Sequence, residues 1–295
     1  MSNSVAAAGS AQPIGTTQPV DAVQSAEPVQ SVEPVQPTIA SAFADRKALI
    51  GFVTAGDPTL ETTRQLVIGM AEAGCDLVEL GIPFSDPVAE GPVIQEASLR
   101  SLQGGTTLDG IFEMVAQLRE TCSIPLVFMG YMNPVLHYGM DRFFARCQEL
   151  GVAGIIVADV PYEERDEVAD VAARYGVDFI SMLAPTSDER IERVATGARG
   201  FLYLVSSLGV TGMRSEITTD IPAIVEKIRK VTDIPVAVGF GISSPQQAHA
   251  MAQASDGAIV GSAIVRLIAE HGENAEEPVK EFVASLRAGI DEGLA

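Results

Sequence analysis

The sequence predicts a (β/α)8 barrel of the TIM type, preceded by a disordered N-terminal extension. From residue 48 onward, eight short apolar runs each precede a helical pattern, within the size typical of such a barrel. The runs are mostly continuously apolar, as strands of a parallel sheet covered on both faces must be. A doubly wound sheet is the alternative, but the regular spacing and the glycine-rich turns after the last strands favour the barrel.

The first 40 residues differ in composition from the rest. They contain no Lys, Arg or aromatic residue, and the first basic residue is Arg46. Glu-Pro-Val-Gln occurs twice, and prolines block both helix interiors and sheet ladders. We therefore expect residues 1–40 to form a disordered low-complexity tail without a targeting role, and residues 41–295 to form the barrel.

The predicted strands cover residues 48–54, 77–81, 126–130, 154–158, 178–182, 201–206, 236–239 and 258–260. Between them lie amphipathic stretches with apolar residues three and four apart. A final helix is expected over 278–292.

Charge and cysteine content restrict the class of protein. A net charge of −20, with 19 Lys and Arg, argues against nucleic acid and anionic membrane surfaces. No apolar run approaches the ~18 residues that span a bilayer. Cys75, Cys122 and Cys147 lack zinc-site spacing, so reduced thiols in a cytoplasmic protein are expected.

A barrel carries its chemistry at the carboxyl ends of its strands. After strand one, Gly56 and Pro58 make a turn, and Asp57 or Thr59 could cap the next helix, with Asp57 the simpler interpretation.

In strand two, Glu79 is flanked by apolar residues. A buried carboxyl has a raised pKa, which suits a general acid/base; pairing with a cation is the structural alternative.

Residues 82–92 form a segment with three prolines and two acids, Asp86 and Glu90. Prolines stiffen a loop, which helps to aim a carboxylate. A metal held by Glu79, Asp86 and Glu90 has weak support because no histidine lies nearby.

Glycines follow the last two strands, at Gly239, Gly241 and Gly261, the last of which precedes Ser262 at a helix start. Such turns let backbone N–H groups approach an oxyanion, so a phosphate site is expected. The segment 206–215 is long and polar, like a mobile lid; a plain surface loop is the alternative.

Together these segments resemble the α subunit of tryptophan synthase, from about residue 41 to 292. The most specific stretch is ELGIPFSDPVAEGPVIQ at 79–95. Supporting stretches are FVTAGDP at 52–58, YMNP at 131–134, ADVP at 158–161, GVTG at 209–212 and GFGIS at 239–243.

The resemblance implies a lyase that cleaves indole-3-glycerol phosphate to indole and glyceraldehyde 3-phosphate in tryptophan biosynthesis. It makes Glu79 the acid/base and Glu90 the carboxylate that binds the indole N–H. Implied substrate contacts are Phe52, Met129, Tyr131 and Tyr203 for the indole, Gly212, Phe240, Gly241, Gly261 and Ser262 for the phosphate, and Thr211 in the lid.

The resemblance further implies an α2β2 complex with a β subunit that holds pyridoxal phosphate, contacted through the loop around Asp86. No cofactor is expected in this chain.

The family usually has Asp where this chain has Glu90, whose side chain is one methylene longer. We expect the loop to retract so that Glu90 keeps the role. The family also commonly has Pro at the position of Gly51, a difference that we expect to affect loop stiffness.

Two other functions stay open. Another phosphosugar barrel, an isomerase or epimerase, would place its acid/base pair on different strands. A non-catalytic activator of the β subunit would have an inert Glu90.

Overall fold

The computed structural model describes residues 37–185, 187–205, 220–239 and 241–292. These residues form a barrel of parallel strands surrounded by helices, which confirms the predicted fold class. The described strands are β1 Ala48–Thr54, β2 Leu77–Gly81, β3 Leu126–Gly130, β4 Val152–Val157, β5 Asp178–Phe179, β6 Ser181–Leu183, β7 Leu202–Val205, β8 Val236–Gly239 and β9 Gly257–Val260. Their order is β5-β4-β3-β2-β1-β9-β8-β7-β6.

The fifth predicted strand is divided at Ile180. Its first part, β5, pairs with β4, and its second part, β6, pairs with β7. The two ends of the sheet order are therefore consecutive in the chain, and the sheet curls round on itself. Ile180 donates its N–H to the Ile155 carbonyl (2.8 Å), so the backbone at the break stays bonded. Nine described strands thus fill the eight positions of the barrel.

Helices cover the outside of the barrel. They are α1 Ile39–Ala42, α2 Leu60–Glu72, α3 Pro92–Gln103, α4 Leu108–Arg119, α5 Met132–Tyr138, α6 Met140–Glu149, α7 Asp166–Arg174, α8 Asp188–Thr196, α9 Ile221–Ile228, α10 Pro245–Ala254, α11 Ser262–His271 and α12 Glu276–Asp291. Short 3-10 helices lie at Tyr162–Glu164 and Gly272–Asn274. No described helix is both long and apolar enough to cross a bilayer.

Alternation along the strands separates the cluster of buried residues inside the barrel from the two clusters under the helices. In β1, Leu49 and Val53 belong to a cluster under the helices, whereas Ile50 and Phe52 belong to the cluster inside the barrel. Because strand side chains alternate between faces, the residues at even positions of β1 point inward. The inner face leads to the carboxyl ends of the strands, where the candidate site lies.

Gly51 lies in the middle of β1 rather than in a loop, so the expected effect on loop stiffness is wrong. A Cβ there would lie 2.2 Å from Cε of Met70. The missing side chain instead lets α2 pack closely against the strand.

The predicted tail boundary at residue 40 stays a prediction, and the first described helix begins at Ile39, which is buried.

Candidate active site

Glu79 lies in the middle of β2, on the inner face, beside Phe52 of β1 and Val127 of β3. Its side chain is 1% exposed, and its Oε1 has no hydrogen-bond partner. In the part of the chain that the structure describes, no Lys or Arg forms a salt bridge with it. Burial raises the pKa of Glu79 to about 8. The carboxyl is therefore mostly protonated at neutral pH, and the alternative of a cation-paired structural glutamate is not supported.

Glu90 lies on the loop after β2, just before Gly91, which is the N-cap of α3. Its side chain is buried, and the Tyr131 hydroxyl donates a hydrogen bond to its Oε2. The same tyrosine oxygen accepts from the N–H of Ala89 (2.9 Å). Gln95 Nε2 donates to the backbone carbonyl of Glu90 (2.8 Å). These contacts hold both the backbone and the carboxylate of the longer residue.

The pKa of Glu90 is raised to about 7, chiefly by burial. A hydrogen bond from its own backbone N–H opposes this shift, and the nearby negative charge of Asp159 adds to it. Asp159 follows β4 and accepts the backbone N–H of Met132 (2.9 Å). Glu90 therefore has an appreciable ionised fraction near pH 7, where Glu79 is mostly neutral.

The four residues predicted to hold an indole are all buried: Phe52, Met129 and Tyr203 belong to the cluster inside the barrel, and Tyr131 follows the end of β3. Burial raises the pKa of Tyr203 well above its usual range, and the negative charge of nearby Glu79 adds to this shift. Phe52 and Tyr203 therefore both lie near the Glu79 carboxyl.

Two glycines make room for the rings. A Cβ at Gly81 would lie 2.6 Å from Cζ of Phe52, and a Cβ at Gly239 would lie 2.3 Å from the hydroxyl of Tyr203. Such distances are far below van der Waals contact, so each ring occupies space that a side chain on the neighbouring strand would fill. Gly239, expected to serve a phosphate turn, thus also determines where Tyr203 lies.

The predicted phosphate residues that the structure describes lie at the ends of β8 and β9. Gly241 has φ 83°, a left-handed conformation that favours glycine. Gly261 is the N-cap of α11, with no side-chain cap, and Ser262 is its first residue. All three residues are partly exposed. Thr211, Gly212 and Phe240 lie outside the described residues.

Asp57 differs from expectation. The N-cap of α2 is Thr59, whose side chain accepts from the N–H of Thr62, so capping by Asp57 is wrong. Asp57 is 1% exposed and pairs with Arg100 of α3 through two hydrogen bonds of 2.8 Å each. Ser101 also donates to the carbonyl of Ala55 (2.6 Å). The turn after β1 is thereby fastened to the helix that follows Glu90.

Sequence reasoning missed this pair, because ion pairing between residues 43 positions apart leaves no local pattern. It also placed Tyr131 only as a wall of the indole slot and missed its contact with Glu90.

Among the described residues, no group of three or more His, Cys, Asp or Glu is arranged to hold a metal ion.

Comparisons with known proteins identify the family of this chain. The family described as "Tryptophan synthase alpha chain" matches residues 40–292. The tryptophan synthase alpha chain of Lactiplantibacillus plantarum is 50% identical, over 86% of this chain and 96% of that protein. That of Lacticaseibacillus casei is 45% identical, over 86% and 95%.

Solved structures give the same result. The tryptophan synthase alpha chain from Legionella pneumophila superposes with a TM-score of 0.75 at 37% identity, covering 84% of this chain and 92% of that one. A chain of the tryptophan synthase α2β2 complex from Pyrococcus furiosus superposes with a TM-score of 0.76 at 35% identity, covering 82% and 98%. This chain therefore belongs to the tryptophan synthase alpha chain family.

Proposed function

We propose that Glu79 and Glu90 together carry out the family's reaction, the retro-aldol cleavage of indole-3-glycerol phosphate to indole and glyceraldehyde 3-phosphate. The observation that carries this proposal is the difference between their surroundings. Glu79 is fully buried with its pKa raised to about 8, and Glu90 is held by a donor with its pKa near 7. A buried carboxyl with no cation partner favours its neutral form, whereas a carboxylate that accepts a hydrogen bond favours its ionised form, so the two can act as a neutral acid and an anion at the same pH.

Glu79 in its neutral form donates a proton to C3 of the indole ring. The ring then carries positive charge at its nitrogen and becomes a leaving group. As the bond between C3 and the adjacent side-chain carbon breaks, the Glu79 carboxylate accepts the proton of the hydroxyl on that carbon. Indole and an aldehyde result, and Glu79 ends protonated as it began.

Glu90 in its ionised form accepts the indole N–H. Protonation at C3 makes this nitrogen positive, so the interaction strengthens as the reaction proceeds. The hydroxyl of Tyr131 fixes which way the carboxylate points. Phe52, Met129 and Tyr203 supply the apolar and aromatic walls that hold the ring plane.

The phosphate group would lie at Gly241, Gly261 and Ser262. Backbone N–H groups at a helix N-terminus favour an anion even in a chain of net charge −20. In the sheet, β1 separates β2, which carries Glu79, from β9, which precedes Gly261 and Ser262. The family's remaining contacts, Thr211, Gly212 and Phe240, complete the proposed set.

Replacement of Glu90 tests the assignment. We expect Glu90→Gln to lower the rate of indole release by about 10²-fold or more, because a neutral amide cannot stabilise the developing charge. Glu90→Asp is the matched control that keeps the charge. We expect Glu90→Asp to retain more activity than the glutamine variant. Near-normal cleavage by Glu90→Gln would remove Glu90 from the mechanism and leave the non-catalytic activator as the better interpretation.

We further propose that the chain works in an α2β2 complex, as the Pyrococcus furiosus relative does. The loop around Asp86 and the neighbouring helix α5 present exposed apolar side chains, Val88 at 73% and Leu136 at 58%. Val88 lies two residues before Glu90, and α5 begins directly after Tyr131, so a β subunit seated there would contact the segments that carry the proposed site. Cleavage by the isolated chain should be slow and should accelerate when a β subunit is added.

The proposed chemistry at Glu79 and Glu90 uses proton transfer and charge stabilisation alone. Pyridoxal phosphate would belong to the β subunit and not to this chain. The free cysteines Cys75, Cys122 and Cys147 suit a reducing compartment, and we propose a cytoplasmic location.

A further inference from the structure

Thr54, the last residue of β1, has a buried hydroxyl without a partner. Its side chain is 2% exposed, and its Oγ1 has no hydrogen-bond partner in the structure. Among the described residues, Glu79 Oε1 is the other buried side-chain nitrogen or oxygen atom that lacks a hydrogen-bond partner. Burying a hydroxyl without a hydrogen bond costs free energy, so a buried unpaired hydroxyl calls for an explanation.

The position of Thr54 suggests one. Alternation along β1 places Thr54 on the same inner face as Ile50 and Phe52. Its register partner is Gly81, and Phe52 is the register partner of Glu79. Thr54 therefore lies two residues, or about 6–7 Å, nearer the mouth of the barrel than the level of Glu79. Its partner Gly81 contributes no side chain that could bond to the hydroxyl.

The strand order places Thr54 between the two ends of the substrate. β1 lies between β2, which carries Glu79, and β9, which precedes Gly261 and Ser262. A molecule with its reacting carbon at Glu79 and its phosphate at the end of β9 must cross the end of β1. The last inward-facing residue of that strand is Thr54.

We propose that the Thr54 hydroxyl binds the substrate's middle hydroxyl, on the carbon between the reacting carbon and the phosphate-bearing carbon. This inference rests on the proposed function of the barrel mouth. The reacting hydroxyl belongs to Glu79, and the phosphate belongs to the helix N-terminus, so the middle hydroxyl is the remaining polar group. Thr54 is thus a specificity residue for the glycerol chain, and the substrate supplies the hydrogen bond that the unliganded chain lacks.

Thr54→Val is the direct test, because valine keeps the shape and the branched Cβ and replaces only the hydroxyl, with a methyl group. We expect kcat/KM for indole formation to fall about 10–100-fold, since a substrate hydroxyl loses its partner in a buried site. Thr54→Ser, which keeps the hydroxyl, should stay within about threefold of the parent chain.

Two further readouts separate recognition from structure. The inhibition constant of 3-(indol-3-yl)propyl phosphate, which lacks both chain hydroxyls, should be unchanged in Thr54→Val. The unliganded valine variant should unfold at the same or a higher temperature, because an unpaired buried hydroxyl stabilises nothing. An unchanged kcat/KM, equal losses for substrate and analogue, or a lower unfolding temperature would each overturn the proposal.

Glu79→Gln is measured in parallel. If Glu79→Gln still cleaves the substrate at the normal rate, the proposed function has failed, and not the role of Thr54 alone. If Glu79→Gln is inactive and Thr54→Val is normal, the proposed function stands and the role of Thr54 falls.

Discussion

The hydroxyl of Tyr131 joins the carboxylate of Glu90 to the backbone N–H of Ala89. It donates to Glu90 Oε2 and accepts from Ala89, one residue before Glu90 in the chain. One side chain at the end of β3 therefore fixes both the loop after β2 and the carboxylate that the loop carries. This bridge supports the expectation that a glutamate can take the place of the family's usual aspartate, since a longer side chain needs a partner that limits where it points.

Removing the hydroxyl should move the pH dependence of the reaction upward. The Tyr131 hydroxyl donates to the ionised form of Glu90, which lowers the pKa of that carboxyl. In Tyr131→Phe we expect the acidic limb of the kcat/KM profile to move to higher pH and kcat to fall about tenfold or more. A profile that keeps its acidic limb, measured by indole formation between pH 5 and 9, would contradict the bridge.

Asp159→Asn should shift the acidic limb of the kcat/KM profile in the opposite direction from Tyr131→Phe. The negative charge of Asp159 raises the pKa of Glu90, so removing it lets Glu90 ionise at lower pH. Asparagine keeps an oxygen that can accept the Met132 N–H, so the backbone contact can persist. We expect the acidic limb to shift to lower pH, opposite in sign to Tyr131→Phe. Shifts of the same sign in both variants would show that Glu90 does not set this limb.

Burial of Glu79 should make the stability of the chain depend on pH. Its pKa is about 8 in the folded chain and near 4.5 in the unfolded one, so the folded chain binds a proton that the unfolded chain releases. The free energy of unfolding must then fall as the pH rises from about 5 through about 8. Glu79→Gln removes this contribution. We expect its unfolding temperature to decline less over that interval than that of the parent chain. Parallel curves would contradict the assigned burial.

Arg100→Gln should destabilise the chain by about 2–4 kcal/mol, because it leaves the buried carboxylate of Asp57 without its partner. Arg64→Gln is the matched control. Arg64 pairs with the largely exposed Glu61 within one helix, and such a pair contributes about 1 kcal/mol or less. Urea unfolding measures both variants. Equal losses would mean that the Asp57 pair does not fasten the turn to α3. We also expect Arg100→Gln to lower kcat, because α3 begins two residues after Glu90.

Local patterns predicted much of the barrel. Strands β1, β2, β3 and β8 have the predicted bounds, because each is a mostly apolar run with a glycine at its end or within two residues after it. The division of the fifth strand at Ile180 could not be predicted, since it depends on closing the sheet between β4 and β7. The final helix begins at Glu276, two residues before the predicted start at Pro278.

In the candidate site, too, the sequence predicted some residues, whereas other contacts could not be predicted from it. Glu79 and Glu90 could be selected from the sequence because each is an acid in an apolar or proline-rich context. The contacts of Tyr131 and Arg100 join residues 41 and 43 positions apart, and they depend on which strand ends meet at the mouth. No spacing rule predicts such pairs from one sequence.

The central claim is that Glu79 is the acid/base of a retro-aldol cleavage. Its most direct test is indole release by Glu79→Gln with indole-3-glycerol phosphate, with the inhibition constant of 3-(indol-3-yl)propyl phosphate measured alongside, at a pH near 7.5. We expect the rate of indole release to fall at least about 10³-fold while the analogue still binds, because the amide cannot exchange a proton with C3 or with the hydroxyl. Cleavage within tenfold of the parent rate would contradict the account.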